Sequence, residues 1–118
     1  MLPREYRLPA STRLVRARFT KTGTFGMKYG ENNLGVSRFA FVVKKSVDKR
    51  AVVRNRIRRL FRSCIEEMRE QIVQGYDMLF FLEKGIMEIK REDLYRHIKS
   101  FFIERHLINE AENEKIKT

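Results

Sequence analysis

Apolar residues recur along this chain with three different spacings, and each spacing predicts a different element. Between Arg50 and Val73 the apolar positions are Val53, Ile57, Leu60, Phe61, Cys64, Ile65, Met68 and Ile72. They keep a 3.6-residue period, which predicts one long helix with a single buried seam. On a wheel of 100° per residue all eight fall within about 80° of the seam's centre. Asn55, Arg58, Arg59 and Arg62 fall opposite, and Arg54 and Arg56 flank the seam. Gly75 stands where a helix-ending glycine is expected. Leu94, Ile98, Phe101 and Phe102 predict a second helix over Arg91–Arg105 by the same period.

Elsewhere the spacing is two. Over Val36–Lys45, Phe39, Phe41, Val43 and Lys45 share one side, and Arg38, Ala40 and Val42 the other. Thr24–Tyr29 reads as the strand before it, joined through a Glu31–Gly35 turn. The aromatic side of the second strand suits base stacking and suits a core under a helix equally well. Tyr76–Glu83 is nearly continuous apolar, as a strand covered on both faces would be. Residues 1–10 hold both prolines and read as an extended lead-in. Ser11 or Thr12 is placed to cap a short helix to Arg18, with Leu14, Val15 and Phe19 turned to the core. From Asn109 the chain is polar and reads as a frayed tail. Strand, long helix, strand implies a parallel crossover. The fold class is therefore α+β: one domain over 1–118, with helices layered on a small mixed sheet.

Charge changes the picture of what this domain meets. Of 118 residues, 42% are hydrophobic, enough for a core, and the net charge is +11. The charge is lopsided: residues 1–62 hold 17 basic and 3 acidic residues, and residues 63–118 hold 9 and 12. The densest stretch, Lys44 to Arg62, has nine basic residues and one acid, Asp48. Like charges so crowded repel one another, which points to a polyanionic partner rather than a solvated face. No apolar run is long enough to span a bilayer. The first residues hold no apolar signal core, so a cytoplasmic protein is expected.

Catalytic chemistry is thinly represented. His97 and His106 are nine residues apart, far in sequence from the single cysteine and without metal-ligand spacing. Cys64 lies in the apolar seam, which suits an inert thiol. Glu66, Glu67 and Glu70 neighbour Arg62 and Arg69, so ion pairing is their simpler reading. The most specific string is Arg54-Asn55-Arg56-Ile57-Arg58-Arg59. Arginine forks match phosphate oxygens and stack on bases, and asparagine adds a donor and an acceptor. Set on a rigid helix, such groups can recognise the shape of a folded RNA.

In these residues the sequence resembles the protein subunit of bacterial ribonuclease P. The match runs from Ser37-Arg38-Phe39 through Lys45, Val47 and Lys49 to Ala51-Val52-Val53-Arg54-Asn55-Arg56-Ile57-Arg58-Arg59-Leu60. Tyr76-Asp77, Lys84-Gly85 and Leu94 also fall where that family has them. The chain departs from the family in Lys44-Lys45-Ser46, where Ser-Lys-Lys is usual, and in having Val15 rather than an aromatic four residues before Phe19. The resemblance implies an α/β sandwich with a left-handed β-α-β crossover. It implies a partner RNA that performs catalysis with Mg²⁺, one protein per RNA, and removal of the 5′ leader of precursor tRNA. Lys49, Arg50, Arg54, Asn55, Arg56, Arg58, Arg59 and Arg62 would then face the catalytic RNA. Phe19, Tyr29, Phe39, Phe41, Lys44 and Lys45 would be the candidates for the leader cleft. Two other classes fit the charge: a ribosomal or other structural RNA-binding protein, and a protein-only nuclease, for which no carboxylate cluster is evident.

Overall fold

The 3.6-residue seam folds as α1 (Ala51–Met68), and its buried residues are six of the eight predicted: Val53, Ile57, Phe61, Cys64, Ile65 and Met68. In the computed structural model, which describes residues 2–14 and 16–109, α1 is preceded by three strands. These are β1 (Arg18–Lys21), β2 (Phe25–Glu31) and β3 (Arg38–Val42). After it come β4 (Tyr76–Leu82) and α2 (Arg91–Glu104). The sheet order is β1-β2-β4-β3. β3 and β4 are parallel neighbours joined through α1, as the pattern predicts. β2 pairs antiparallel with β1 on one side and β4 on the other.

Both helices lie on one face of the sheet. That face presents Phe25, Met27 and Tyr29 of β2, Phe39 and Phe41 of β3, and Met78, Phe80 and Leu82 of β4. Phe61 stands at the centre, its ring 5.0 Å from those of Phe25 and Phe80 and 5.9 Å from that of Phe41. From α2, Leu94, Ile98, Phe101 and Phe102 close the layer. Arg91 ties the helices together: its guanidinium donates to the Ser63 hydroxyl and carbonyl and meets Glu67 at 3.4 Å. Glu67 therefore pairs across to α2 rather than with Arg62 or Arg69.

Four expectations are corrected. First, no helix forms over Ser11–Arg18 among the described residues; Val15 lies outside them. Thr12 turns back on Pro9, Arg16 takes a left-handed φ of 52°, and Arg18 already pairs in β1. Second, Phe19 does not enter the core but is 62% exposed on the opposite face. Third, β2 and β3 are not hairpin partners, because β4 inserts between them. Fourth, α1 stops at Met68, and a 3-10 turn spans Arg69–Gln71. Ile72 leaves the helix to bridge Ile108, and both are buried. Gly75, at φ 93°, therefore serves the turn into β4, where its carbonyl accepts the Asn32 N–H.

The lead-in is also more engaged than its prolines foretell. Leu2 is buried in the main core, and the Leu8 N–H donates to the Phe39 carbonyl at 2.8 Å. This strap laps the outer edge of β3 and covers what would otherwise be an open edge. The expected tail lies outside the described residues apart from Asn109, whose N–H donates to the Gln71 carbonyl.

A polar clamp fastens the start of β3 to the start of β4. Arg38 meets buried Asp77 with both prongs, at 2.9 and 2.8 Å, and Asn32 donates to the same carboxylate at 2.8 Å. Burial opposes ionisation of Asp77, but Arg38 and Asn32 outweigh it and hold the carboxyl below its ordinary range. Ser37 donates to the Val73 carbonyl and accepts the Tyr76 N–H. Asp77→Ala is expected to cost about 2 kcal/mol in urea denaturation, since it strands charged donors. A loss under 0.5 kcal/mol would show the clamp to be incidental.

Candidate nucleic-acid interface

The amphipathic seam decides which side chains of α1 meet solvent. With Val53, Ile57 and Phe61 buried, the turn from Asn55 to Arg59 presents Asn55, Arg56 and Arg59 outward. Arg58 and Arg62 are half-buried along one flank, and Val52 is 66% exposed at the helix start. Lys49 and Arg50 extend the same surface into the preceding loop. The sequence-predicted ridge is thus assembled on one rigid element.

Its members are not equivalent. Arg54 turns back, donating through Nη1 to the carbonyls of Asp48 at 2.9 Å and Lys49 at 2.8 Å. It pins the loop to the helix rather than reaching outward. Asp48 is buried, accepts the Arg50 backbone N–H at 2.8 Å, and holds the Arg50 guanidinium with both oxygens. Lys84 adds a contact at 3.3 Å. The Arg50 hydrogen bonds hold the Asp48 carboxyl well below the usual carboxylate range. Arg58 donates to the Asn55 side-chain oxygen. Burial, then the charges of Arg54 and Arg62, lower the Arg58 guanidinium from its ordinary value. The cations of this flank repel one another, so an anion placed there is favoured.

The Asp48 pairing sets a pH dependence whose sign follows from linkage. A depressed folded pKa adds stability above the unfolded carboxyl range, about pH 3.9, that is lost progressively as pH falls below it. Asp48→Asn is therefore expected to flatten the acid limb of the stability curve. Chemical denaturation at a series of pH values checks this, and an unchanged acid limb would refute it.

The second surface is the face of the sheet away from the helices. Strand pairing places Phe19 and Lys21 of β1, Lys28 of β2, Ala40 and Val42 of β3 and Leu79 and Phe81 of β4 on this side, where Leu8 and Leu14 pack over buried Ala40 and Leu79 and leave the Phe19 end exposed. Phe19 and Phe81 lie 6.4 Å apart, and the Lys44 ammonium is 5.9 Å from the Phe81 ring. Gly26 makes room for this: a Cβ there would come within 3.1 Å of the Phe19 ring. An exposed aromatic ringed by lysines is suited to stack bases and neutralise a single strand's phosphates.

Of the cleft candidates, Phe19 and Lys44 belong to this surface. Phe39 and Phe41 do not, because β3 turns them under α1, and Phe41 stacks on Phe80 at 5.7 Å. Tyr29 is buried on the helix side against Tyr76. Lys45 is exposed in the loop beyond β3. Between base stacking and core, the aromatic side of β3 is core. Phe81 and Lys28 were not foreseen. Their signal is hidden because β4 is apolar on both faces, and because the partners of Phe81 come from distant strands.

Cys64 is fully buried, and burial pushes its thiol up, which leaves it unreactive. His97 is exposed on α2.

The family model described as Ribonuclease P matches residues 3–105. Among curated relatives, the ribonuclease P protein component of Microcystis aeruginosa is 33% identical over 64% of this chain. The matched stretch spans 62% of that relative's length. The component from a Thermoanaerobacter species is 35% identical over 75% of this chain and 74% of its own. Among solved structures, the RNase P protein from Staphylococcus aureus superposes with a TM-score of 0.67 at 17% identity, covering 92% of this chain and 96% of that one. The Thermotoga maritima RNase P protein, in complex with 1-(4-fluorophenyl)-2-thiourea, gives 0.65 at 18% identity, over 73% and 83%. At those identities the likeness speaks for the fold, a small α+β domain with a four-stranded mixed sheet and two helices. The family model spans most of the chain and agrees with its relatives, so the chain belongs to the family of ribonuclease P protein components.

Proposed function

We propose that this chain serves ribonuclease P by holding two RNAs at once. The ridge of α1 docks on the ribonuclease P RNA, and the exposed Phe19 side of the helix-free sheet face takes the single-stranded 5′ leader of precursor tRNA. The observation that supports this most is the separation of two cationic surfaces on opposite sides of the core. One is a rigid helix of guanidinium forks, suited to a folded backbone. The other is an aromatic platform with lysines, suited to an unpaired strand. In this reading the RNA subunit performs the hydrolysis. Mg²⁺ belongs to it, since phosphate oxygens are the hard ligands that ion prefers. One chain serves one RNA, in the cytoplasm. No helix among the described residues is long and apolar enough to cross a membrane.

Reconstitution tests the reading. Added to ribonuclease P RNA at low Mg²⁺, the chain is expected to stimulate cleavage of precursor tRNA at the leader junction. Absence of stimulation would sink it, and cleavage without added RNA would favour a protein-only nuclease. Phe19→Ala tests the platform separately. It is expected to weaken binding of a leader oligonucleotide by about fivefold to tenfold, the worth of one stacked base. The urea midpoint is expected to stay in place, because the ring is exposed.

A further inference from the structure

The outer edge of β3 holds a small pocket beside the ridge, at its half-buried flank of Arg58 and Arg62. Its volume is about 260 Å³. β3 lines it from Phe39 to Phe41, the N-terminal strap with Leu8 and Ala10, and α1 with Arg58 and Arg62. Three features converge there.

The first is a stretch of strand edge that is unpaired among the described residues. Phe39 faces the strap, its carbonyl accepting the Leu8 N–H. Alternation along β3 turns the N–H and C=O of Phe41 the same way. The strap turns off at the Pro9–Thr12 bond, before the pairing reaches Phe41. Phe41 thus offers one donor and one acceptor at the pocket, a pattern that a nucleobase edge complements. The second is charge. Arg58 and Arg62 stand one helical turn apart, and among the described residues neither has an acidic partner. The third is size. Ligand sites start near about 300 Å³, so this pocket admits a single ring system and not a stacked pair.

We propose that the pocket takes one unstacked nucleotide, its phosphate on Arg58 and Arg62 and its base edge on the Phe41 backbone. The proposal rests on the reading of α1 as an RNA surface only for the source of that nucleotide, a base splayed from the docked RNA. An extended peptide would also find a strand edge here. Against it stand the shortness of the free edge, since β3 ends at Val42, and the paired guanidiniums, which call for a compact anion.

The full chain, labelled with ¹⁵N, is titrated with each ribonucleoside 5′-monophosphate. The Phe41 and Leu8 amide resonances are expected to shift and saturate. Arg62→Gln is expected to weaken this binding about tenfold, by loss of one charged contact. Ala10→Trp, which fills the pocket from an exposed position, is expected to abolish it while leaving the thermal midpoint in place. The same variant is expected to weaken binding to ribonuclease P RNA about tenfold with an unchanged salt slope, since no charge is removed. Identical Phe41 shifts with inorganic phosphate alone, or with an unphosphorylated pentapeptide, would overturn the proposal. So would unchanged nucleotide binding by Ala10→Trp. If instead the outward arginines of α1 prove irrelevant to RNA affinity, the ridge reading fails, and the mononucleotide titration still judges the pocket.

Discussion

Arg56→Ala combined with Arg59→Ala is expected to lower affinity for ribonuclease P RNA about a hundredfold at physiological salt. Both side chains are exposed on the outward side of α1. Neither is spent on a hydrogen bond within the described residues, so both are available to phosphates. Each charge-assisted contact is worth about 1.5 kcal/mol, and two together about 3 kcal/mol, or roughly two decades in Kd. The slope of log affinity against log salt should fall by about 1.8, since two phosphate contacts release that many fewer counterions. Fluorescence anisotropy across a salt series measures both. The pair is preferable to Arg54, whose removal would also undo the loop that it pins. Stability should change by no more than about 0.5 kcal/mol. An unchanged salt slope would remove the ridge from the interface.

Phe61→Ala is expected to cost about 4 kcal/mol, at the upper end of what a buried truncation costs. The residue is fully buried, and its ring meets those of Phe25, Phe41 and Phe80, so it joins α1 to three strands. Its removal leaves a cavity where helix and sheet meet, and neither can collapse without pulling the other out of register. A domain of this size has about 5–15 kcal/mol in all, so much of the chain would unfold on mild warming. Urea denaturation gives the number directly. A loss below about 1.5 kcal/mol would mean that the layers close over the gap, contrary to the packing described. Because Phe61 is buried, any loss of RNA affinity in this variant should follow the unfolded fraction and leave the salt slope alone.

The elements with strong internal periodicity were legible, and their positions follow from it. The α1 seam, the second helix and the apolar fourth strand each repeat a burial pattern within their own residues. No distant partner is needed to see it. The same periodicity exposed the basic ridge, because the buried face of a helix dictates its opposite face. Legibility failed where burial is decided by something far away in sequence. Phe19 looks like a core residue until β1 pairs with β2 and turns it to the helix-free face. Phe39 and Phe41 suit either role until α1 and Phe80 cover them. Gly75 looks like the end of the helix until Ile72 finds Ile108 and draws the chain out of it.

Local pattern alone therefore determined the helices, three of the four strands, the parallel crossover and the cationic helix face. The helices, the strands and the cationic face depend on residues less than two turns apart, where covalent geometry sets the neighbours, and the crossover follows from their order along the chain. Tertiary structure alone decided that β4 divides β2 from β3, and which face of the sheet the helices leave to the strap and to Phe19. It also decided that Phe81 joins Phe19 and Lys44. These outcomes turn on pairings between distant segments. There the loss of chain entropy is offset only when many apolar side chains are buried together, and no short stretch of sequence records that sum.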